Sequence, residues 1–263
     1  MSKYMDLSII IVSWNTRELL KKCLNSIYQN GAGLSLEIYV IDNNSSDKTV
    51  EMIRTEFRDV ELIANNKNQG FAYANNQALK LAIGKYILLL NPDTEILSNS
   101  LQKAVKFMSD NSNCGAMGAK LLNPDKSVQP SIRRFPTPWP IFLMLIKAPK
   151  LFKKIKSIER YLCFDFDYNK RQAVDQIMGA FMLIPKKVFD KVGLLDEVFF
   201  IWFEEVDLCR RIQNAGFKVL YNPEVEIIHY GGQSFAQEKI IKKQSLFFKS
   251  AMRYFLKNGF FNR

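Results

Sequence analysis

The chain has 263 residues, of which 48% are hydrophobic and 24% charged, enough to build one sizeable core and the profile of an ordinary globular protein rather than a disordered or fibrous one. The longest suspicious apolar run, residues 141–146, falls far short of the roughly 20 residues a bilayer requires, and no secretory signal pattern is legible at the start. The net charge of +11 is local: residues 147–160 carry a net +5 and residues 239–263 a net +7, so the remainder carries a net −1, which names an anionic membrane or nucleic acid as possible partners of those two stretches. The four cysteines are scattered and form no CxxC pair, which favours buried reduced thiols and a cytoplasmic location over zinc or redox chemistry.

The first half alternates apolar strand patterns with helical ones. Residues 7–12 form a fully apolar strand candidate, and residues 17–28 a helix with apolar Leu19, Leu20, Cys23, Leu24 and Ile27. A second strand spans 36–41, and Ser46 or Asp47 is placed to cap a helix through Phe57. A strand at 60–64, a helix at 71–83 and an apolar strand at 86–90 follow. Near-continuous apolar strands separated by helices predict a parallel sheet covered on both faces, with ligands outside the carboxyl ends of its strands. Five prolines from Asn123 through Pro140 mark a loop. A strand over 177–184, a short helix from Lys186, a helix over 204–215 stopped by Gly216, short strands at 219–221 and 225–229, and a final helix from Gln237 complete the chain.

Four places could carry chemistry. Asp42 ends the second strand in a turn-prone Asn-Asn-Ser-Ser stretch, where a carboxylate can either accept from a ribose or simply shape the turn. Asn91-Pro92-Asp93 follows the fourth apolar strand; Pro92 stops ladder pairing, and Asp93 is either a turn residue or a ligand for a hard divalent cation. Glu204, Glu205 and Asp207 crowd the start of a helix. Dipole complementarity and a pair from Asp207 to Arg210 or Arg211 would account for them, as would a general base whose pKa the neighbouring Phe199, Phe200, Trp202 and Phe203 raise by desolvation. His229, the only histidine, closes a strand candidate before a Gly-Gly turn, and is either a packed residue or a metal ligand. The first strand lacks GxGxxG, and no GxxxxGK[ST] occurs, which argues against NAD, FAD and P-loop chemistry.

Six segments in order, IIIVSWNTRELLKKCLNSI, VIDNNSSDKT, NKNQGFAYANNQAL, YILLLNPDTE, GAFMLIPKKVFDKVGLLDEVFFIWFEEVDLCRRIQNAGFKV and IIHYGGQS, resemble glycosyltransferase family 2, and within it the bacterial rhamnosyltransferase-like members. The resemblance implies a GT-A-like, mostly parallel α/β sheet flanked by helices over residues 1–235, with a nucleotide-binding half at about 1–122 and an acceptor half at about 123–235. A basic amphipathic helical extension, 236–263, would follow.

It also implies inverting transfer of rhamnose or a related hexose from a TDP- or UDP-sugar to a glycan or lipid-linked acceptor in cell-surface polysaccharide synthesis, at the inner face of the cytoplasmic membrane. Ser13, Asn15 and Asp42 would hold the nucleoside, with Asn68, Gly70 and Asn75 in the nucleotide-pocket loop. Asn91 stands where the family's metal motif has its first acid, leaving Asp93 the carboxylate ligand of Mg2+ or Mn2+ beside His229. Glu205 would be the base, supported by Glu204 and Asp207. A sugar-phosphate nucleotidyltransferase, which would want a Gly-rich loop after the first strand, and an inactive scaffold homologue are the alternatives. A nucleic-acid-binding module would leave the carboxylates at the strand ends unexplained.

In the final helix, Ile241, Phe248, Met252 and Phe255 are expected on one face, with Lys242, Lys249, Arg253 and Lys257 toward the other. That is the pattern either of a helix lying on an anionic membrane or of one packed on the domain.

Overall fold

A computed structural model describes residues 5–146, 155–232 and 240–260. The basic residues between 147 and 154, and Gln237 where the last helix was expected to begin, lie outside them.

The described residues form one nine-stranded sheet. Its strands are β1 (Leu7–Ser13), β2 (Leu36–Asp42), β3 (Glu61–Ala64), β4 (Tyr86–Leu90), β5 (Thr94–Ile96), β6 (Cys114–Leu122), β7 (Gln172–Ala173), β8 (Phe181–Pro185) and β9 (Lys218–His229). The order is β3-β2-β1-β4-β8-β6-β9-β5, with β7 added beside β9. The β3-β2-β1-β4 portion is wholly parallel, as the continuous apolar runs predict. Beyond β4 the sheet is mixed, because β8 enters antiparallel to both β4 and β6 while β6 and β9 run parallel.

Helices cover both faces. On one side, α1 (Arg17–Asn30), α2 (Thr49–Glu56) and α4 (Ser100–Asp110) bury Leu20, Leu24, Ile53, Leu101 and Phe107 against β1, β2, β4 and β6. On the other, α3 (Phe71–Leu79), α7 (Lys186–Val192) and α8 (Glu204–Asn214) bury Ala74, Ala78, Phe189, Leu208 and Ile212. A third cluster joins α5 (Pro138–Leu145) and α9 (Ile240–Asn258) to the aromatic segment before α8 through Ile141, Phe199, Phe203, Tyr254 and Phe255. The short α6 (Lys156–Tyr161) lies beside α5.

Several boundaries move. α3 ends at Leu79, because the chain must turn at Gly84 to enter β4; a Cβ at Gly84 would stand 2.5 Å from the Ser8 backbone nitrogen, so only glycine lets that turn close on β1. The strand expected over 177–184 starts at Phe181, since Met178–Ala180 turn beside the end of β4, where Asn91 N–H donates to the Ala180 carbonyl (3.1 Å). The two short strands at 219–221 and 225–229 are one continuous β9 with a register shift. All four cysteines are buried and free.

Candidate active site

Pro92 has no N–H to continue the β4 ladder, so the chain leaves the sheet after Leu90 and returns as β5 against β9. The register pairs Thr94 with His229, and Tyr230 N–H donates to the Asp93 carbonyl at 2.9 Å. Two residues 136 positions apart in sequence are thereby set side by side: His229 Nε2 lies 3.4 Å from Asp93 Oδ1, both side chains almost fully buried. The separation exceeds a hydrogen bond, and His229 Nε2 has no hydrogen-bond partner among the described residues.

Behind the ring, Gln129 Oε1 lies 2.6 Å from His229 Nδ1. The Gln129 amide nitrogen is committed to Asn123 Oδ1 (2.9 Å) and to the His229 carbonyl (3.2 Å). The oxygen therefore faces Nδ1 and fixes the tautomer with hydrogen on Nδ1. Nε2 is left facing a carboxylate oxygen, with room for a shared cation between them. No group of three or more His, Cys, Asp or Glu is placed for a metal among the described residues. Asp93 and His229 thus bring two potential donor atoms face to face, and no larger set.

These residues line one cavity of about 340 Å³ at the carboxyl ends of β1 and β4, where ligands of such sheets bind. Its other walls include Trp14, Asn43, Asn68, Gly70, Asn91 and Glu205. Asn43 is the buried residue that sequence reasoning passed over: its Nδ2 donates to the Gly70 carbonyl (3.2 Å), and its Oδ1 accepts from Asn65 (3.0 Å). Its signal was the doubled Asn after β2, since side chains alternate in direction along a strand. Gly70 (φ +86°) allows Phe200 to close on α3, since a Cβ there would stand 2.5 Å from the Phe200 carbonyl oxygen. Phe71 N–H donates to that same oxygen at 2.7 Å.

Of the expected nucleotide residues, Ser13, Asn15, Asp42 and Asn75 are not in the cavity's lining, whereas Asn68 is. Ser13 Oγ shares a hydrogen bond with Thr16 (3.0 Å), and Asn15 Oδ1 accepts from Ser46 N–H (2.7 Å). Asn68 Oδ1 accepts from Gly70 N–H (3.0 Å), shaping the loop from within the lining. Asn75 Nδ2 donates to the Phe71 carbonyl one turn back (2.9 Å). Asp42 is buried; Oδ2 accepts from Ser45 N–H at 2.9 Å, while Oδ1 has no hydrogen-bond partner among the described residues. Asp47 accepts from Arg17 N–H (2.9 Å) and Thr49 N–H (3.2 Å), so it ties the starts of α1 and α2 together.

Glu204 and Glu205 open α8, and both line the cavity. Burial pushes the Glu205 carboxyl up to about 7. Glu204 is pushed well above the usual carboxylate range, first by burial and then by the neighbouring Glu205. Oε2 of each has no hydrogen-bond partner among the described residues. The segment before the pair divides: Phe200, Ile201 and Trp202 line the cavity, while Phe199 and Phe203 are packed into the third cluster. Trp202 (φ 61°) and Phe203 (φ 70°) are consecutive residues in the left-handed region, a backbone that costs about 1–3 kcal/mol per residue and persists only where its surroundings hold it. Asp207 lies apart from the cavity, its carboxylate paired with Arg211 (2.8 Å) and Lys257 (2.9 Å).

Residues 8–193 match the family model described as glycosyl transferase family 2. Rhamnosyltransferase WbbL of Escherichia coli K12 is 26% identical over 260 residues, covering 96% of this chain and 90% of that protein. N-acetylglucosaminyl-diphospho-decaprenol L-rhamnosyltransferase of Mycobacterium tuberculosis is 24% identical over 239 residues, 87% of this chain and 77% of that one. Among solved structures, the mannosyltransferase PcManGT of Pyrobaculum calidifontis, in complex with GDP-Man and Mn2+, superposes with a TM-score of 0.63 at 17% identity. That match covers 96% of this chain but only 65% of the other, and it is a likeness of fold.

Proposed function

Because the chain belongs to glycosyl transferase family 2 and has the GT-A fold of its structural relatives, we propose that it transfers rhamnose or a related hexose from a TDP- or UDP-sugar to a hydroxyl of a glycan or lipid-linked acceptor, inverting the anomeric centre. The process it serves is cell-surface polysaccharide synthesis. One observation carries the reading: Glu205, its carboxyl pushed up to about 7, opens into the same cavity as the Asp93–His229 pair.

The parallel strand ends, with Asp42, Asn43 and the Asn68–Gly70 loop around them, receive the nucleotide. Glu205 takes the proton of the acceptor hydroxyl; the freed oxygen attacks the anomeric carbon from the face opposite the nucleoside diphosphate, whose bond to that carbon breaks. Near pH 7 about half of a carboxyl with this pKa is ionised, so it can accept a proton in one turnover and lose it before the next. When bound by Asp93 and His229, a divalent cation (Mg2+ or Mn2+) supplies positive charge against the leaving diphosphate. One relative is named as a dTDP-rhamnosyl transferase, and the Mycobacterium relative is named for a diphospho-decaprenol acceptor; both favour this donor and acceptor chemistry.

A lipid-linked acceptor places the work at the inner face of the cytoplasmic membrane. No described helix is long and apolar enough to cross a membrane, and the attachment proposed is peripheral. Of the fourteen exposed large hydrophobics among the described residues, eight lie on or next to α5 and α9, including Trp139, Phe142, Ile241, Phe248 and Leu256. Exposed Lys242 and Lys249 flank the α9 stripe. Concentration of apolar and basic groups on neighbouring helices favours an anionic lipid surface as the partner.

A panel of UDP-, GDP- and TDP-sugars with Mn2+ tests the reading. A true donor raises Tm in proportion to RT ln(1 + [L]/Kd) and is converted with release of nucleoside diphosphate. Release of pyrophosphate would instead point to nucleotidyl transfer, and binding without turnover under any acceptor would point to a scaffold.

A further inference from the structure

The strained turn that delivers Glu204 and Glu205 is held from two sides. From α3, Phe71 N–H grips the Phe200 carbonyl at 2.7 Å. From the other side the holder is α9, which lies beyond the residues matched by the family model.

α9 reaches the turn at successive points. Ser250 Oγ donates to the Ile201 carbonyl at 2.8 Å, and the Arg253 guanidinium donates to the Val198 carbonyl. Phe247 packs on both Trp202 and Phe203, with ring centroids 5.8 and 5.3 Å apart, and Tyr254 packs on Phe203 at 5.6 Å. Lys257 Nζ then bridges two carboxylates on either side of the turn: Asp196 Oδ2 at 2.6 Å before it and Asp207 Oδ1 at 2.9 Å after it. Asp207 belongs to the first turn of α8, one residue from being adjacent to Glu205. Lys257 therefore ties the entry of the aromatic segment to the helix that carries the acids, and places a positive charge beside a helix start crowded with three carboxylates.

We propose that α9 is a brace for the catalytic turn, with Lys257 and Ser250 as positioning residues that fix where Glu205 projects into the cavity. The inference rests on the reading of Glu205 as the base. It follows from the connectivity: residues 196–207 form a short excursion with two consecutive left-handed residues, and cutting the Lys257 bridge removes a tie from both of its ends at once, leaving Asp207 held by Arg211 alone. Glu205 would then sample positions away from the acceptor hydroxyl, which lowers turnover without weakening a donor held by the strand ends.

Full-length Lys257→Met, Lys257→Arg and Ser250→Ala variants test it, by amide hydrogen exchange over residues 196–206 and by TDP release from TDP-rhamnose. Lys257→Met should raise exchange in that segment about tenfold and lower kcat about tenfold, with donor KM within about twofold. Lys257→Arg, which keeps a cation within reach of both carboxylates, should restore both readouts; Ser250→Ala should move them in the same direction by less. Unchanged exchange in Lys257→Met, or raised exchange with wild-type kcat, overturns the brace. So does a loss expressed in KM alone. Glu205→Gln separates the two claims: if it releases TDP as fast as the wild type, the base assignment fails, and the exchange arm still decides whether α9 holds the turn.

Discussion

Gln129 Oε1 lies 2.6 Å from His229 Nδ1, and the other end of the same amide is tied to Asn123 and to the His229 carbonyl. The glutamine thus orients the imidazole so that Nε2, not Nδ1, faces Asp93 Oδ1 at 3.4 Å. The expected consequence is measurable. His229→Ala should weaken Mn2+ binding in the presence of donor, and Gln129→Leu should weaken it by about 10–100-fold, the usual effect of losing a group that orients a ligand. Titration calorimetry with Mn2+ and nucleoside diphosphate reads both; unchanged affinity in His229→Ala removes the metal role from that residue.

Replacing the base should be more damaging than replacing its neighbour. Glu205→Gln is expected to lose about 10²–10⁴-fold in kcat with donor affinity retained, and Glu204→Gln is expected to lose less. In the wild type, kcat should rise as pH increases through about 7, as Glu205 ionises, and the Gln variant should lack that limb. A larger loss in Glu204→Gln reverses the assignment.

The same two acids set a stability trend. Their carboxyls titrate above the usual range when folded, so the native state binds more protons than the unfolded chain between the two pKa values. Stability is then greatest below the ordinary carboxylate pKa and declines as pH rises toward about 7, the opposite of a salt-bridged carboxylate. Thermal melts between pH 4.5 and 7.5 should show Glu204→Gln/Glu205→Gln gaining Tm over the wild type at the upper end of that range and little at the lower. A constant difference across the range would contradict the burial of these carboxyls.

Membrane attachment should depend on the outer face of α9. The helix packs on the domain through Phe247, Ala251, Tyr254 and Phe255, so Phe255 parts from Ile241 and Phe248, with which the amphipathic pattern grouped it. Ile241, Phe248 and Leu256 remain exposed. Ile241→Ser/Phe248→Ser and Lys242→Glu/Lys249→Glu should each reduce co-sedimentation with phosphatidylglycerol vesicles at low salt, the second pair by about 1 kcal/mol or more per residue. Equal, negligible binding of the wild type to anionic and neutral vesicles at low salt would sink the membrane reading and leave the sugar-transfer chemistry standing.

The sequence by itself determined the parallel half of the sheet. Strands β1, β2 and β4 are nearly continuous apolar runs, buried along most of their length, and such runs have one stable use, between two layers of helices. It also determined that acids stand after β4 and at the start of α8, because Pro92 and the Glu204-Glu205-Val206-Asp207 stretch announce a strand end and a helix start locally. What joins these places was decided only by the tertiary structure. That β8 runs antiparallel between β4 and β6, that Thr94 pairs with His229, and that Gln129 lies behind the imidazole are long-range pairings, separated by 64 to 135 residues or set by loops with no periodicity. The roles of Asp207 and Lys257 belong there too. In sequence Asp207 is one of three clustered acids, alike in charge; packing sends Glu204 and Glu205 toward the cavity and turns Asp207 to Arg211 and Lys257, because burying a carboxylate is costly unless it is paired, and both cations stand beside Asp207.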